Sequence, residues 1–245
     1  MTDPIADPTS GSKGDTVYEL RRVRARYGLV EVIHGVDLSL RAGEVLALLG
    51  ANGAGKSTLL KVAARLHPAS DGELRYGGRH IERWTPDRLA RQGVCLIPEG
   101  RGVFPRLTVR ENLWMATHLG VSRRDAEHIA FDRFPRLGER RDQVASSMSG
   151  GEQQMLALAR AVISKPRVLL VDELSMGLAP MVVASLYESV REIAATGVSV
   201  VVVEQFARTV LGFADRAAVM VSGHIAHTGS PSEVESHLSS AYLGA

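Results

Sequence analysis

The order of apolar and polar positions along the chain predicts strands that alternate with helices. Short apolar runs typical of buried strands are VLALL, VCLI, VLLV and VSVVVV, and amphipathic stretches such as KSTLLKVAARL and MVVASLYESVREIAATG separate them. Because these runs have helices on both sides, we expect an α/β fold with a mostly parallel sheet covered on both faces. The stretch AAVMVSGHIAHTG, with Gly-His between two alternating segments, predicts a terminal hairpin.

A helical stretch interrupts this pattern between about residues 100 and 164. It contains VRENLWMATHLG, RRDAEHIAFDRF and GGEQQMLALARAVIS, each of which predicts a helix. We therefore expect one domain over residues 16–245, with a core formed by 16–99 and 165–245 and a helical insertion. Residues 1–15 are polar and lack the apolar run of a signal peptide, so they predict a flexible tail.

Charge and cysteine content exclude several classes of protein. A formal net charge of +2 over 245 residues gives no electrostatic reason to expect nucleic-acid binding. The single cysteine, Cys95, excludes an internal disulfide framework and a multi-cysteine zinc site, and fits a reducing cytoplasm. The longest apolar runs are far shorter than the ~20 residues of a membrane helix, so a function at a membrane would need other chains to span it.

The stretch GANGAGKST at residues 50–58 matches the phosphate-loop pattern G-x-x-x-x-G-K-S/T between a predicted strand and a predicted helix. Its glycines let successive backbone N–H groups turn toward a phosphate, and the helix adds its positive end. We expect Lys56 to reach the β- and γ-phosphates and Ser57 to ligate Mg²⁺. The other predicted nucleotide-binding residues of the loop are Gly50, Asn52, Gly53, Ala54, Gly55 and Thr58. The alternative is a glycine-rich turn with a buried lysine.

Two acids follow the apolar strand RVLLV. Asp172 lies at its carboxyl end, where ligands bind in open α/β sheets, and is predicted to hold Mg²⁺, usually through water. Glu173 is the candidate that orients and polarises the attacking water. The alternative is a pair of acids that only ends a strand in solvent.

A second glycine-rich helix start, SGGEQQ, lies at residues 149–154. Ser149 offers a hydroxyl, Gly150 and Gly151 offer backbone N–H groups, and the helix dipole favours an anion. The alternative is a serine N-cap followed by ordinary glycines. The order of phosphate loop, SGGEQQ and acidic strand end resembles the ATP-binding-cassette (ABC) ATPases over about residues 17–244. This resemblance implies a P-loop NTPase (RecA-like) core with an N-terminal antiparallel β region and an inserted helical subdomain.

The family resemblance also implies how nucleotide is bound. ABC ATPases bind ATP with Mg²⁺ and pair head to tail, so that the SGG signature of one chain closes over the γ-phosphate held by the other. Tyr27 stands where the family's aromatic residue stacks on adenine, the alternative being a tyrosine at a turn. Glu99 takes the place of the Q-loop glutamine. A carboxylate there would coordinate Mg²⁺ if it lies near the ion, and would repel the γ-phosphate if it lies near that group. Gln205 takes the place of the switch histidine.

Several short motifs together resemble one branch of the family. They are IPEGR, FPRLTVRENL, GLAP after the acidic pair, VEQ at the switch and AYLG. This branch comprises the F-type ATP-binding subunits of high-affinity branched-chain, or hydrophobic, amino-acid importers. Leu174 departs from this pattern because it replaces a usual proline, and Ala179 stands where many ABC ATPases have aspartate.

The partners implied by the resemblance place the protein on the cytoplasmic face of the cell membrane. They are a second ABC ATPase subunit, transmembrane permease subunits and, indirectly, an extracellular substrate-binding protein. We expect a heterodimer of cassettes, while a homodimer of this chain alone stays open. The alternative functions are a cassette for urea, amides or another transported molecule, a soluble cassette without a permease, and an inactive ATP-sensing subunit.

The replacements at the Q-loop and the switch lead to a hypothesis about rate. An ionised Glu99 only accepts hydrogen bonds, and Gln205 donates an amide hydrogen bond but cannot become cationic. We therefore expect the site built on this chain's motifs to hydrolyse ATP slowly, and the second cassette to carry the faster site. The alternative is that both sites work equally.

The helical insertion is predicted to receive the permease. In the family, a groove between this lobe and the Q-loop accepts a short helix of the membrane subunit. The residues that follow Glu99 are predicted to line it, namely Arg101, Phe104, Pro105 and Leu107. Trp84, Trp114 and Cys95 are predicted to be packing residues.

Overall fold

The structure is a computed structural model that describes residues 14–100, 102–117, 120–205 and 207–242. Arg101, residues 1–13 of the predicted tail and the last two residues of the AYLG motif lie outside the described residues. The strands are β1 (Thr16–Tyr27), β2 (Val30–Arg41), β3 (Val45–Leu49), β4 (Asp71–Tyr76), β5 (Arg79–His80), β6 (Val94–Ile97), β7 (Val168–Asp172), β8 (Ser199–Glu204), β9 (Arg216–Val221) and β10 (His224–Gly229). The helices are α1 (Lys56–Ala63), α2 (Pro86–Arg91), α3 (Val109–Trp114), α4 (Arg123–Arg133), α5 (Pro135–Glu139), α6 (Gly150–Ile163), α7 (Pro180–Ala195), α8 (Ala207–Leu211) and α9 (Pro231–Tyr242).

The larger sheet has six strands in the order β10-β9-β3-β8-β7-β6. Every neighbouring pair is parallel except β9 and β10, which form an antiparallel hairpin. Strands β3, β7 and β8 are buried along their whole length, as expected for strands with helices on both faces. The predicted α/β fold with a mostly parallel sheet is confirmed.

The smaller sheet is antiparallel, in the order β2-β1-β4-β5, and it corresponds to the expected N-terminal β region. A buried core joins its inner face to α1 and to the parallel sheet through side chains such as Val23, Val36, Leu48, Leu59 and Leu74. Each of these side chains contributes roughly 1.5–3 kcal/mol by its removal from water. The small sheet therefore fixes the position of α1, the helix that follows the phosphate loop.

Helices α3 to α6 lie between β6 and β7, where the insertion is predicted. Thr108 and Ser149 begin α3 and α6 with capping boxes, each bonded reciprocally to the glutamate three residues later. The predicted helix VRENLWMATHLG is shorter than expected, because α3 ends at Trp114. There the Thr117 hydroxyl donates to the carbonyl oxygen of Trp114 at 2.7 Å and closes a turn.

The three predicted packing residues have ordinary structural partners. Trp84 is buried with the Arg88 guanidinium 4.2 Å from its ring centre. The indole N–H of Trp114 donates to Glu127 at 2.8 Å. Burial raises the pKa of the Cys95 thiol, which keeps it protonated and unreactive.

Helix α9 was not predicted from the sequence. Its segment PSEVESHLSSAY has few apolar positions, and of these Val234 is fully buried. The Ser230 backbone N–H and hydroxyl donate to the Glu233 carboxylate at 2.7 and 2.8 Å, which caps the helix start. Because apolar positions are few, the segment has no periodic signal that predicts a helix.

The register of the parallel strands brings several chain segments to one edge of the sheet. Leu49 pairs with Glu204, Asp172 with Val203, and Ile97 with Val171. The carboxyl ends of β3, β6, β7 and β8 are therefore neighbours, as is usual at ligand sites of such sheets.

Candidate nucleotide site

The phosphate loop joins β3 to α1 and is held closed by Lys56. The Lys56 ammonium donates to the carbonyl oxygens of Gly50 at 2.9 Å and Ala51 at 3.1 Å, and lies 3.4 Å from Oε1 of Glu173. The Lys56 side chain is only 3% exposed, so its charge is concentrated inside the loop. Gly55 caps α1 with a φ of 105°, a left-handed conformation that favours glycine.

The remaining loop residues differ in their exposure. Asn52 and Gly53 are exposed at the tip, Ala54 is buried, and Ser57 and Thr58 are half-buried at the start of α1. The backbone at the tip is therefore open to a ligand, while the base of the loop is anchored in the core.

The turn between β9 and β10 braces the phosphate loop. The Gly223 N–H donates to the carbonyl oxygen of Ala54 at 2.9 Å, and the Gly223 carbonyl oxygen accepts from the His34 N–H at 3.0 Å. A side chain at Gly50 would overlap the carbonyl oxygen of Met220 in β9. Sequence reasoning missed Met220 and Gly223, because the only signal in this segment is that of a hairpin.

Two side chains with oxygen atoms, Ser57 and Asp172, lie together beside the loop. The Ser57 hydroxyl donates to Oδ1 of Asp172 at 3.1 Å, so the predicted metal-binding residues are brought together. Burial raises the pKa of Asp172 from 3.8 to about 6 against the hydrogen bond from Ser57, and the charges of Glu173 and Glu99 add to the rise. A hydroxyl and a carboxylate are the oxygen donors that hard divalent cations prefer.

The raised pKa of Asp172 gives a test of this electrostatic environment. The folded state favours the neutral carboxyl, so the free energy of unfolding falls as pH rises from 3.8 to about 6 and stays low above that. Without nucleotide and divalent cation, we expect Asp172→Asn to raise the melting temperature above about pH 6, with a gain that shrinks toward about pH 4. Thermal denaturation at several pH values checks this.

The exposed Asp132→Asn is the matched control and should give the same melting curve as the parent protein at every pH. A rise in melting temperature that is the same at every pH would mean that Asp172→Asn does not act through the raised pKa of the carboxyl.

Glu99 and Gln205 lie at the strand ends next to this centre. Glu99 is exposed two residues after β6, close enough for its charge to act on Asp172. Gln205 is exposed directly after β8. Glu173 follows β7 with a φ of 46°, unusual for a residue with a side chain, and its N–H donates to the Val203 carbonyl oxygen at 3.0 Å.

Tyr27 lies at the end of β1 and is 46% exposed. Its ring stacks on the ring of His67 with 4.3 Å between the ring centres and 29° between the planes. His67 Nε2 lies 3.0 Å from the carbonyl oxygen of Arg26, which fixes the imidazole beside the tyrosine. Sequence reasoning did not predict this second ring, because His67 is distant in sequence from Tyr27.

The SGG signature forms the start of α6. The Ser149 N–H and hydroxyl donate to the Glu152 carboxylate at 2.9 and 2.8 Å. Gly151 is buried, and a Cβ there would overlap Val182 of α7. Within the described ranges, no hydrogen bond or ion pair joins residues 149–151 to residues 50–58. The two glycine-rich helix starts are therefore separate elements of the fold.

Comparisons with known proteins agree with this geometry. The ABC transporter family model matches residues 33–175. The chain is 42% identical over 229 residues to the high-affinity branched-chain amino acid transport ATP-binding protein BraG of Pseudomonas aeruginosa, covering 91% of this chain and 97% of BraG. It is 31% identical to the probable branched-chain amino acid transport ATP-binding protein LivF of Archaeoglobus fulgidus, covering 88% and 93%. A crystal structure of a nucleotide-free ATP-binding cassette superposes with a TM-score of 0.83 at 24% identity, covering 94% and 97%.

The chain belongs to the ABC transporter family. It is an ATP-binding protein and an ATPase, as members of this family are. Among the described residues, no helix combines the length and apolar character needed to cross a membrane.

Proposed function

We propose that this chain powers an importer of branched-chain, or hydrophobic, amino acids from the cytoplasmic face of the cell membrane. The observation that carries this proposal is the similarity to BraG along nearly the whole of both chains. Separate permease subunits that form the path for the substrate are part of this proposal.

The proposed roles of the site residues follow from their geometry. Lys56 and the backbone N–H groups of the loop bind the β- and γ-phosphates, because charge and dipole both point into the loop. Glu173 lies 3.4 Å from Lys56 and orients the attacking water. Gln205 donates an amide hydrogen bond to the γ-phosphate, and Tyr27 stacks on adenine.

Mg²⁺ fits the oxygens of Ser57 and Asp172, which are 3.1 Å apart. When bound, the ion neutralises charge on the β- and γ-phosphates. Asp172 must be ionised to bind the ion, and its pKa of about 6 leaves the carboxylate mostly charged at neutral pH. Glu99 adds a further carboxylate near this pair and is the proposed additional ligand.

A second cassette completes the site in our proposal. The Ser149 hydroxyl and the Gly150 and Gly151 N–H groups would contact the γ-phosphate held by the partner. Met181 is exposed next to Val182, which lies against Gly151 at this helix start, and exposed apolar side chains often mark protein interfaces. ATP would thus hold the two cassettes together, and hydrolysis would release them.

The permease is proposed to dock in a groove of about 450 Å³ between β6 and the helical insertion. Pro98, Gly102, Met115 and Arg160 are among its lining residues. Of the residues expected at this groove, Phe104 has its ring centre 4.8 Å from the guanidinium carbon of Arg160, which lines the cavity. The side-chain amide of Asn112 in α3 bonds to Phe104, Leu107 and Thr108 and holds this segment against the helix.

Co-purification tests the proposed function. The tagged chain is isolated from its native cells in mild detergent, and the bound proteins are identified by mass spectrometry. A different cassette with two hydrophobic permease subunits, together with loss of leucine uptake when this chain is deleted, is the expected result. An identical cassette with one permease type, uptake loss confined to urea or amides, or soluble partners only would each contradict it.

The switch position gives a prediction about rate. In the chain assembled with its native partners, we expect Gln205→His to raise ATP hydrolysis at this chain's own site about tenfold, because a cationic side chain stabilises developing charge better than an amide. Steady-state hydrolysis with the partner cassette's site inactivated measures this, with Gln92→His at the end of α2 as the control. An unchanged or lower rate would mean that the two sites do not differ for this reason.

A further inference from the structure

A buried carboxylate lies directly before the switch position. Glu204, the last residue of β8, is 1% exposed. It accepts from the Ser175 N–H at 3.1 Å, from the Ser175 hydroxyl at 2.7 Å and from the Tyr187 hydroxyl. Burial, and then the charge of Glu204, raise the pKa of Tyr187, so the phenol remains a donor. Within the described part of the chain, no ion pair to a basic side chain neutralises Glu204.

Burying a carboxylate without a cationic partner lowers the stability of the fold. A buried carboxylate loses several kcal/mol of hydration, and only hydrogen bonds compensate for this here. An apolar side chain would fill the same place in the core at lower cost. Because Glu204 accepts from three donors, we infer that its role is to hold those donors in position.

The donors belong to segments that carry the reacting groups. Ser175 lies two residues after Glu173, whose strained backbone is itself held by the Val203 carbonyl oxygen. Tyr187 lies in α7, which begins next to the exposed loop that follows Ser175. One carboxylate thus ties the end of β8, the turn after β7 and helix α7 together.

We propose that Glu204, through Ser175 and Tyr187, is a positioning residue that sets the spacing between Glu173 and Gln205 at the γ-phosphate. This inference rests on the proposed roles of Glu173 and Gln205. Hydrolysis needs the water and the γ-phosphate in one alignment, whereas the Glu204 side chain makes no hydrogen bond to residues 50–58 within the described part of the chain. A change at Glu204 should therefore lower kcat and leave KM unaltered.

The experiment compares steady-state ATP hydrolysis by full-length variants in the assembly that the tagged chain forms, with the partner cassette's site inactivated so that only this chain's site is measured. Glu204→Gln keeps the shape but replaces one of the two accepting oxygens with an NH₂ group, which faces a donor in either orientation, so we expect kcat to fall about tenfold with KM unchanged. Tyr187→Phe and Ser175→Ala each remove one donor and should give smaller losses of the same kind. These two variants test the proposal if Glu204→Gln does not fold.

The matched control is Ser199→Ala at the opposite end of the same strand. Ser199 is also buried and accepts from the Gly43 N–H at 3.0 Å, so this variant should lose stability without losing kcat. In a Glu173→Gln background, Glu204→Gln should cause little further loss, because it acts through Glu173.

Three results would overturn the inference: an unchanged kcat in Glu204→Gln, an equal loss in Ser199→Ala, or a full additional loss in the double variant. If Glu173→Gln alone keeps full activity, the proposed site is wrong as well.

Discussion

Glu173→Gln should lower the rate of ATP hydrolysis at this chain's own site about a thousandfold, since the amide cannot accept a proton from the attacking water. The nucleotide affinity should persist or rise, because the change removes a negative charge next to the γ-phosphate. Lys56, which lies 3.4 Å from the Glu173 carboxylate, remains free to bind phosphate. Hydrolysis assays and calorimetric titration with ATP measure the two effects separately.

The control for this change is Glu139→Gln, an exposed acid in the helical insertion that should keep wild-type kinetics. A Glu173→Gln variant with near-normal kcat would mean that another group orients the water. A variant that loses ATP binding instead would mean that Glu173 mainly supports the phosphate loop.

Lys56→Met should weaken ATP binding about a hundredfold, because the phosphate loses its contact with a buried positive charge. A hundredfold loss corresponds to about 3 kcal/mol of binding free energy. The variant also leaves the carbonyl oxygens of Gly50 and Ala51 without their donor. Methionine keeps the length and most of the packing of lysine, so the effect reports the charge. Calorimetric titration with ATP measures the affinity, and circular dichroism checks the fold.

Lys61→Met, an exposed lysine on the same helix, is the matched control and should bind ATP normally. Equal affinities for Lys56→Met and the parent protein would contradict the assignment of the phosphate loop.

Local chemistry determined which parts of the site were predictable. The phosphate loop is a contiguous segment whose glycines and lysine act together, so residues 50–58 suffice to predict it. Asp172 was predictable because it ends an apolar run, and strand ends form ligand sites in parallel sheets. Ser149 was predictable as a helix start, since a capping box is encoded within four residues.

Contacts between distant segments were not predictable in this way. Gly223 reaches Ala54 only because β9 lies beside β3 in the sheet, and strand order is not encoded in either segment. From the sequence, Glu204 is only a polar residue at the end of a run of valines. Its burial is evident only from the fold, which brings Ser175 and Tyr187 to its carboxylate. The pairing of Tyr27 with His67 likewise depends on the fold.

The bond between Gly223 and Ala54 has a consequence for biosynthesis. A ribosome releases residues 50–58 long before the hairpin that braces them, so a nascent chain carries a complete phosphate-loop sequence without its support. The bond from Gly223 to Ala54 forms only when β9 joins β3. The phosphate loop therefore receives this support only after most of the cassette has been synthesised.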